Sequence, residues 1–306
     1  MKQTDYTPIQ RLRFLIAAMR PSQWTKNTIL FAAFIFAYGD KTIDIDWLHG
    51  TLLIPAFLLF SFSASAIYLF NDILDRKNDR QHPTKKDRPI AAGKLSTRFA
   101  GILATGLILV STPLAYALAP GFGSILLVYL LLQLIYCTVL KRVALLDIFI
   151  IASGFVLRAI AGAALLAIPI SPWLLVCTFL LALFLALCKR RHEKASIEST
   201  AGARQRIALQ KYDLLLTDQL IAIVASATVV SYAIYTLWPD TIEKFGSYYL
   251  AYTIPLVLFG IFRYLDLLYR ENKGDRPEHV LLTDIPIIVT IITYGLVVLS
   301  LFTIMR

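Results

Sequence analysis

The sequence predicts an all-α membrane protein of about nine transmembrane helices with its amino terminus in the cytoplasm. Three observations lead there. Of its 306 residues, 58% are hydrophobic and the mean hydropathy is +0.67, more apolar than a water-soluble domain of this length. The stretches between charges are long enough to cross about 30 Å of hydrocarbon as helices of roughly 20 residues. Lys and Arg alternate from loop to loop. They crowd the start of the chain, 72–98, 141–142, 189–211 and 263–276, whereas the intervening loops hold only Lys41, Lys244 and the terminal Arg306. That alternation fits nine spans with the carboxyl terminus outside. The formal charge of +10 is therefore mainly topogenic, and no nucleic-acid partner is expected. Alternating strand patterns of about ten residues are missing, which argues against a β-barrel.

The spans are expected near 22–38, 47–70, 97–117, 122–139, 144–166, 171–188, 216–238, 246–264 and 283–305. Lys26 lies inside the first. Residues 9–20 pattern as a basic amphipathic helix, either on the membrane surface or leading into the first span; no cleavable signal peptide is evident. Residues 1–306 read as one membrane domain with 1–20 as its surface segment. The outer loops 118–122 and 167–172 are short and contain Pro and Gly, so their flanking helices form antiparallel hairpins. The long inner loops, 71–96 and 189–213, follow spans two and six and hint at a four-helix pseudo-repeat. Cys137, Cys177 and Cys188 are scattered in apolar segments and read as packing residues.

The strongest chemical signal is FNDILDRKNDRQHPTKKDRPIAAG, residues 70–93. At 100° per residue, Asn71, Asp72, Asp75 and Asp79 fall within roughly a 100° arc of one helical face. Four oxygen-bearing side chains there repel one another unless a cation bridges them. Mg²⁺ suits the task, being held by one or two carboxylates together with substrate phosphates. The competing reading is a solvated helix end. Arg80, His82, Lys85 and Arg88 follow at once, and Pro83 and Pro89 stop the helix. Acids followed by bases at a helix-to-loop junction can clamp a metal–pyrophosphate, with Arg88 offering bidentate phosphate bonds. Lys86 and Lys94 read as topogenic.

Residues 71–93 resemble the first aspartate-rich motif of the UbiA-type intramembrane prenyltransferase superfamily, N-D-x-x-D-x-x-x-D before a basic R-P stretch. RPSQWTKN at 20–27, DRQHPTKKDRPIAAG at 79–93, LKRVALLDIFIIASGFVLRAIAGA at 140–163 and CKRRHE at 188–193 resemble its decaprenyl-phosphate phosphoribosyltransferase branch. The resemblance implies a UbiA-like bundle and Mg²⁺ as cofactor. It also implies transfer of 5-phosphoribose from phosphoribosyl pyrophosphate to a polyprenyl phosphate at the cytoplasmic membrane, with Asp72 and Asp75 as the main catalytic acids. One departure carries weight. Where aromatic prenyltransferases have a second acidic motif, D-x-x-x-D after span six, this chain has Lys189, Arg190, Arg191, His192 and Glu193. A basic loop opposite an acidic one fits a substrate with separate phosphates.

Arg158 lies well inside span five, where burying a charge is costly. It is expected to meet a carboxylate or phosphate from another element, Asp147 being three turns away. Lys141 and Arg142 either hold a phosphate or anchor a helix end. Gln23, Trp24, Lys26 and Asn27 form a polar set expected to wall the site, and 274–284 a loop over its opening. The alternatives are prenyl transfer to an aromatic acceptor, on the same metal motif, and transport of an anionic lipid. The gathering of charge at one face argues against transport. A second copy of the chain stays open as a partner.

Overall fold

A computed structural model describes residues 6–82, 85–198, 212–271, 273–274 and 277–305. Among them are helices and connecting turns but no strand. The helices are α1 (Pro8–Met19), α2 (Leu30–Gly39), α3 (Trp47–Gly50), α4 (Leu53–Asp79), α5 (Thr97–Leu118), α6 (Pro120–Thr138) and α7 (Leu146–Leu166). They continue with α8 (Pro172–Glu198), α9 (Leu214–Leu237), α10 (Pro239–Phe245), α11 (Ile254–Tyr269), α12 (Pro277–Thr283) and α13 (Ile285–Met305).

Among the described residues, eight helical stretches are long and apolar enough to cross a membrane. They coincide with eight of the nine expected spans. The remaining one, expected at 22–38, is a 3-10 segment, Pro21–Ile29, running directly into α2. Nine residues at about 2.0 Å and ten at about 1.5 Å reach roughly 33 Å, enough for the hydrocarbon core. Its irregularity has a local cause: Pro21 opens it and Ser22, Thr25 and Asn27 favour alternative backbone bonding.

Helix ends follow their caps. Thr7 and Gln10 form a capping box on α1, Ser96 accepts from the amide of Phe99 at α5, and Asp213 accepts from that of Leu216 at α9. Both chemistry-bearing helices overrun their spans. α4 and α8 each have 27 residues: the helical face expected at 71–79 is formed, and 189–198, expected as loop, is helical as well. Polar residues continue these helices because each turn still satisfies its own backbone. The tail expected as a loop at 274–284 contains α12. Pro83, 199–211 and 275–276 lie outside the described residues.

α7 ties two packed halves together. Its Ala161 and Leu165 join Leu30, Phe34, Phe60, Phe122, Leu126 and Tyr129. Its Ile148 and Ala152 join Phe184, Leu187, Ile221, Tyr264 and Leu267. Lipid is as apolar as these side chains, so close fit rather than water exclusion drives the packing. At Gly162 an added Cβ would collide with the Leu30 carbonyl oxygen; only glycine lets α7 meet the junction between the 3-10 segment and α2. Leu109, Val110, Leu131, Ile135, Ile223, Val230 and Leu296 are exposed and form lipid-facing surface.

Candidate active site

The last two turns of α4 carry the four predicted oxygen ligands, and the structure resolves them into two pairs. Lys141 Nζ donates to Asn71 Oδ1 at 3.1 Å and to Asp75 Oδ1 at 2.6 Å. Arg88 Nη1 donates to Asp72 Oδ1 at 3.1 Å and to Asp79 Oδ2 at 2.8 Å. The helix dictates this split. Setting Asn71 at 0°, Asp75 lies at about 40°, Asp79 at about 80° and Asp72 at about 100°. The four expected ligands thus stand as two pairs, and among the described residues no three acids, histidines or cysteines gather closely enough to share an ion. Each pair nevertheless converges on one cationic nitrogen. The protein's own Lys141 and Arg88 occupy positions that a divalent ion with carboxylate and amide oxygens fits.

A third cation completes the cluster. Arg20 caps α1 in the left-handed region at φ 54°, a conformation costly for a bulky residue. It lies over the Tyr68 ring at 5.1 Å and donates to Asp72 Oδ1, one turn further along α4. Arg80 turns away, its Nε donating to the Ala91 carbonyl at 2.9 Å, and helps fold the 88–95 turn. Burial pushes the His82 imidazole down, seconded by the charges of Lys85 and Arg88 against the opposing pull of Asp79 and Glu193. Arg142 is exposed beside the buried Lys141 and takes no part in these pairs.

The 3-10 segment walls the site as its period demands. With three residues per turn, side chains at i and i+3 eclipse. Trp24 and Asn27 both face α4, bonding Ser65 Oγ at 3.0 Å and Ser61 Oγ at 2.9 Å. Gln23 and Lys26 both face Glu278 of α12: Gln23 Nε2 donates to its Oε1, and Lys26 Nζ lies 3.8 Å from its Oε2. Burial would raise the Glu278 carboxyl, but Lys26, the Gln23 hydrogen bond and Lys189 hold it below the usual range.

Arg158 pairs with no carboxylate among the described residues: it donates to Asn27 Oδ1 at 2.7 Å, the Tyr129 hydroxyl at 2.9 Å and the Gly154 carbonyl at 2.8 Å. The rings of Phe60, Tyr129 and Phe155 surround its guanidinium. Neutral dipoles and π faces thus stabilise the charge and leave its field uncancelled. On α8, Arg190 Nε donates to Asp147 Oδ2 at 2.8 Å and Nη1 to Glu193 Oε2 at 2.6 Å; the Tyr212 hydroxyl donates to Asp147 Oδ1 at 2.7 Å. Arg190 and Glu193 therefore spend their charge on this buried knot, whereas Lys189 makes no ion pair among the described residues.

This geometry can be set beside known proteins. The UbiA prenyltransferase family matches residues 28–282. The chain belongs to that family. Its relatives include the decaprenyl-phosphate phosphoribosyltransferase of Mycolicibacterium smegmatis, 36% identical over 278 residues that cover 88% of this chain and 86% of the relative. The namesake from Corynebacterium glutamicum is 36% identical over 276 residues, covering 88% and 81%. A UbiA homolog from Archaeoglobus fulgidus, solved bound to DMAPP and Mg²⁺, shares the fold at a TM-score of 0.69 and 18% identity, over 95% of this chain and 99% of that one. Family and helices together make the chain a multi-pass membrane protein. Sequence reasoning left Arg20 and Tyr212 out of the site, although Arg20 opens the RPSQWTKN stretch, and reached Glu278 only as part of the 274–284 segment over the opening.

Proposed function

We propose that the chain transfers the 5-phosphoribosyl group of phosphoribosyl pyrophosphate to a polyprenyl phosphate, releasing pyrophosphate, with Mg²⁺ and at the cytoplasmic face of the cell membrane. The observation that carries this reading is the pairing of the α4 carboxylates Asp72, Asp75 and Asp79 with Arg20, Arg88 and Lys141. The relatives named decaprenyl-phosphate phosphoribosyltransferase support the same choice.

In this reading Asp72 with Asp79, and Asn71 with Asp75, are the metal-holding pairs. A bound divalent ion supplies charge neutralisation on the departing pyrophosphate. With a divalent ion held there, Arg20, Arg88 and Lys141 would be free to bind phosphate oxygens. The bond from ribose C1 to pyrophosphate oxygen breaks with its electron pair leaving on pyrophosphate. An oxygen of the lipid phosphate forms the new bond to C1. That nucleophile is already anionic, so the residues act by positioning and charge stabilisation rather than by removing a proton. Arg158 holds Asn27 and adds positive potential below the site.

Purified protein given labelled phosphoribosyl pyrophosphate, polyprenyl phosphate and Mg²⁺ is expected to yield labelled lipid. Turnover of geranyl diphosphate on an aromatic acid, without labelled lipid, would replace this reading by prenyl transfer.

A further inference from the structure

Leu145 opens α7 in a conformation that its own side chain does not explain. Its φ is 66° and its ψ −48°, near the γ-turn of positive φ, a rare and strained arrangement that only glycine takes easily. The side chain is 42% exposed, so its packing does not compensate the strain. What meets the turn is Tyr212, 67 positions away: the Leu145 amide donates to its hydroxyl at 3.0 Å. The same hydroxyl donates to Asp147 Oδ1 at 2.7 Å. Burial, then the bond to Asp147, push this phenol above its usual value, so it stays protonated and serves both partners. Tyr212 is itself buried, and Arg190 fixes Asp147 from its other oxygen at 2.8 Å. The hydroxyl is therefore held from three elements. Upstream of the turn stands Lys141, in a single 3-10 turn, Leu140–Arg142, separated from α7 only by residues 143–145. The turn decides which of two adjacent cations faces α4. Lys141 is buried against Asn71 and Asp75, whereas Arg142 is exposed.

We infer that Tyr212 is a positioning residue for the transfer reaction: by holding Leu145 in its strained turn it aims Lys141, rather than Arg142, at Asn71 and Asp75. Its effect passes through the backbone of 141–145. The inference rests on the proposed function only in taking Lys141 as a group that the reaction uses. Strain at Leu145 is thus kept for a purpose: a relaxed turn would leave the helix start intact and the lysine misdirected.

The test is a double-mutant cycle on the full-length protein, joined to hydrogen exchange. Tyr212→Phe keeps the ring and removes the hydroxyl. It is expected to lower kcat/KM for transfer by about 10²-fold, the scale of a misplacement of about 1 Å imposed from a distance. In a Lys141→Met background the same change is expected to cost less than about twofold, since the group being aimed is gone. A merely structural role for Tyr212 would make the two losses multiply, and multiplying losses overturn the inference. Adding Leu145→Gly to Tyr212→Phe is expected to recover about tenfold of the rate, because glycine takes the positive φ without strain; no recovery counts equally against it. Hydrogen exchange on the wild-type protein needs neither variant nor substrate. The Leu145 amide should be protected although it precedes the first helical turn, and exchange at the rate of an open loop would overturn the inference even if Tyr212→Phe failed to fold. Absence of transfer by the wild-type protein would count against the proposed function, with the Leu145 amide still deciding whether Tyr212 holds the turn. Multiplying losses in an active protein would count against the inference alone.

Discussion

Every carboxylate of the site is met by a cation, and the distance between partners in sequence explains what could be anticipated. Asn71, Asp72, Asp75 and Asp79 share a helix, so their common face follows from 100° per residue alone. Their counter-ions do not: Arg20 reaches Asp72 across 52 positions and Lys141 reaches Asp75 across 66, distances that only tertiary packing closes. The same holds for Asp147, which spacing correctly separates from Arg158 but cannot assign to Arg190. Asp72→Asn is expected to lower kcat for transfer by about 10²–10³-fold, the scale of losing one charge-stabilising group, while thermal unfolding shows the protein still folded. Arg190→Met should act on stability instead. It leaves Asp147, with no exposed surface, as an uncompensated buried charge, costing about 3–5 kcal/mol; chemical unfolding in detergent reads that loss.

Helices overrun the boundaries that hydropathy marks. Apolar composition ends near Phe70 and Cys188, yet α4 and α8 continue to Asp79 and Glu198, because hydropathy reports the lipid and not the backbone. The 3-10 segment was invisible for a related reason: its period of three shows only once Trp24 and Asn27 are seen on α4 and Gln23 and Lys26 on α12. Its seat depends on Gly162. Gly162→Ala drives a methyl group against the Leu30 carbonyl and is expected to cost about 1–3 kcal/mol, with transfer activity falling as the segment shifts; unfolding and activity measured on one preparation test this. The α11–α13 junction offers a pH-dependent prediction. Asp284 accepts from Arg263 at 2.8 Å, a bond that holds its carboxyl below the usual range against partial burial. A lowered folded-state value means the stabilisation is complete above the unfolded carboxyl value of about 3.9 and disappears as pH falls through the lowered one. Wild-type melting temperature should therefore decline in that acidic window, and Asp284→Asn should flatten the decline.

The whole molecule presents a charged end and an apolar belt, and loop charge alone indicated which end carries the chemistry. Eight crossings are evident from helix length; the ninth depends on the 3-10 segment and α2 reaching across together. Reporter fusions at the amino terminus and at residue 94 check this: nine crossings put the two on the same side of the membrane, and eight would put them on opposite sides with the segment lying on one face. In the proposed reading, the basic Lys189 and Arg190 favour a donor with separate phosphates over an isoprenyl diphosphate. The measurement closest to the central claim is pyrophosphate release from phosphoribosyl pyrophosphate by the purified protein, with and without polyprenyl phosphate. Release is expected only when the lipid is present, one pyrophosphate for each lipid that gains a phosphoribosyl group, and its loss with Asp72→Asn. Pyrophosphate released from an isoprenyl diphosphate, with phosphoribosyl pyrophosphate left intact, would contradict the account.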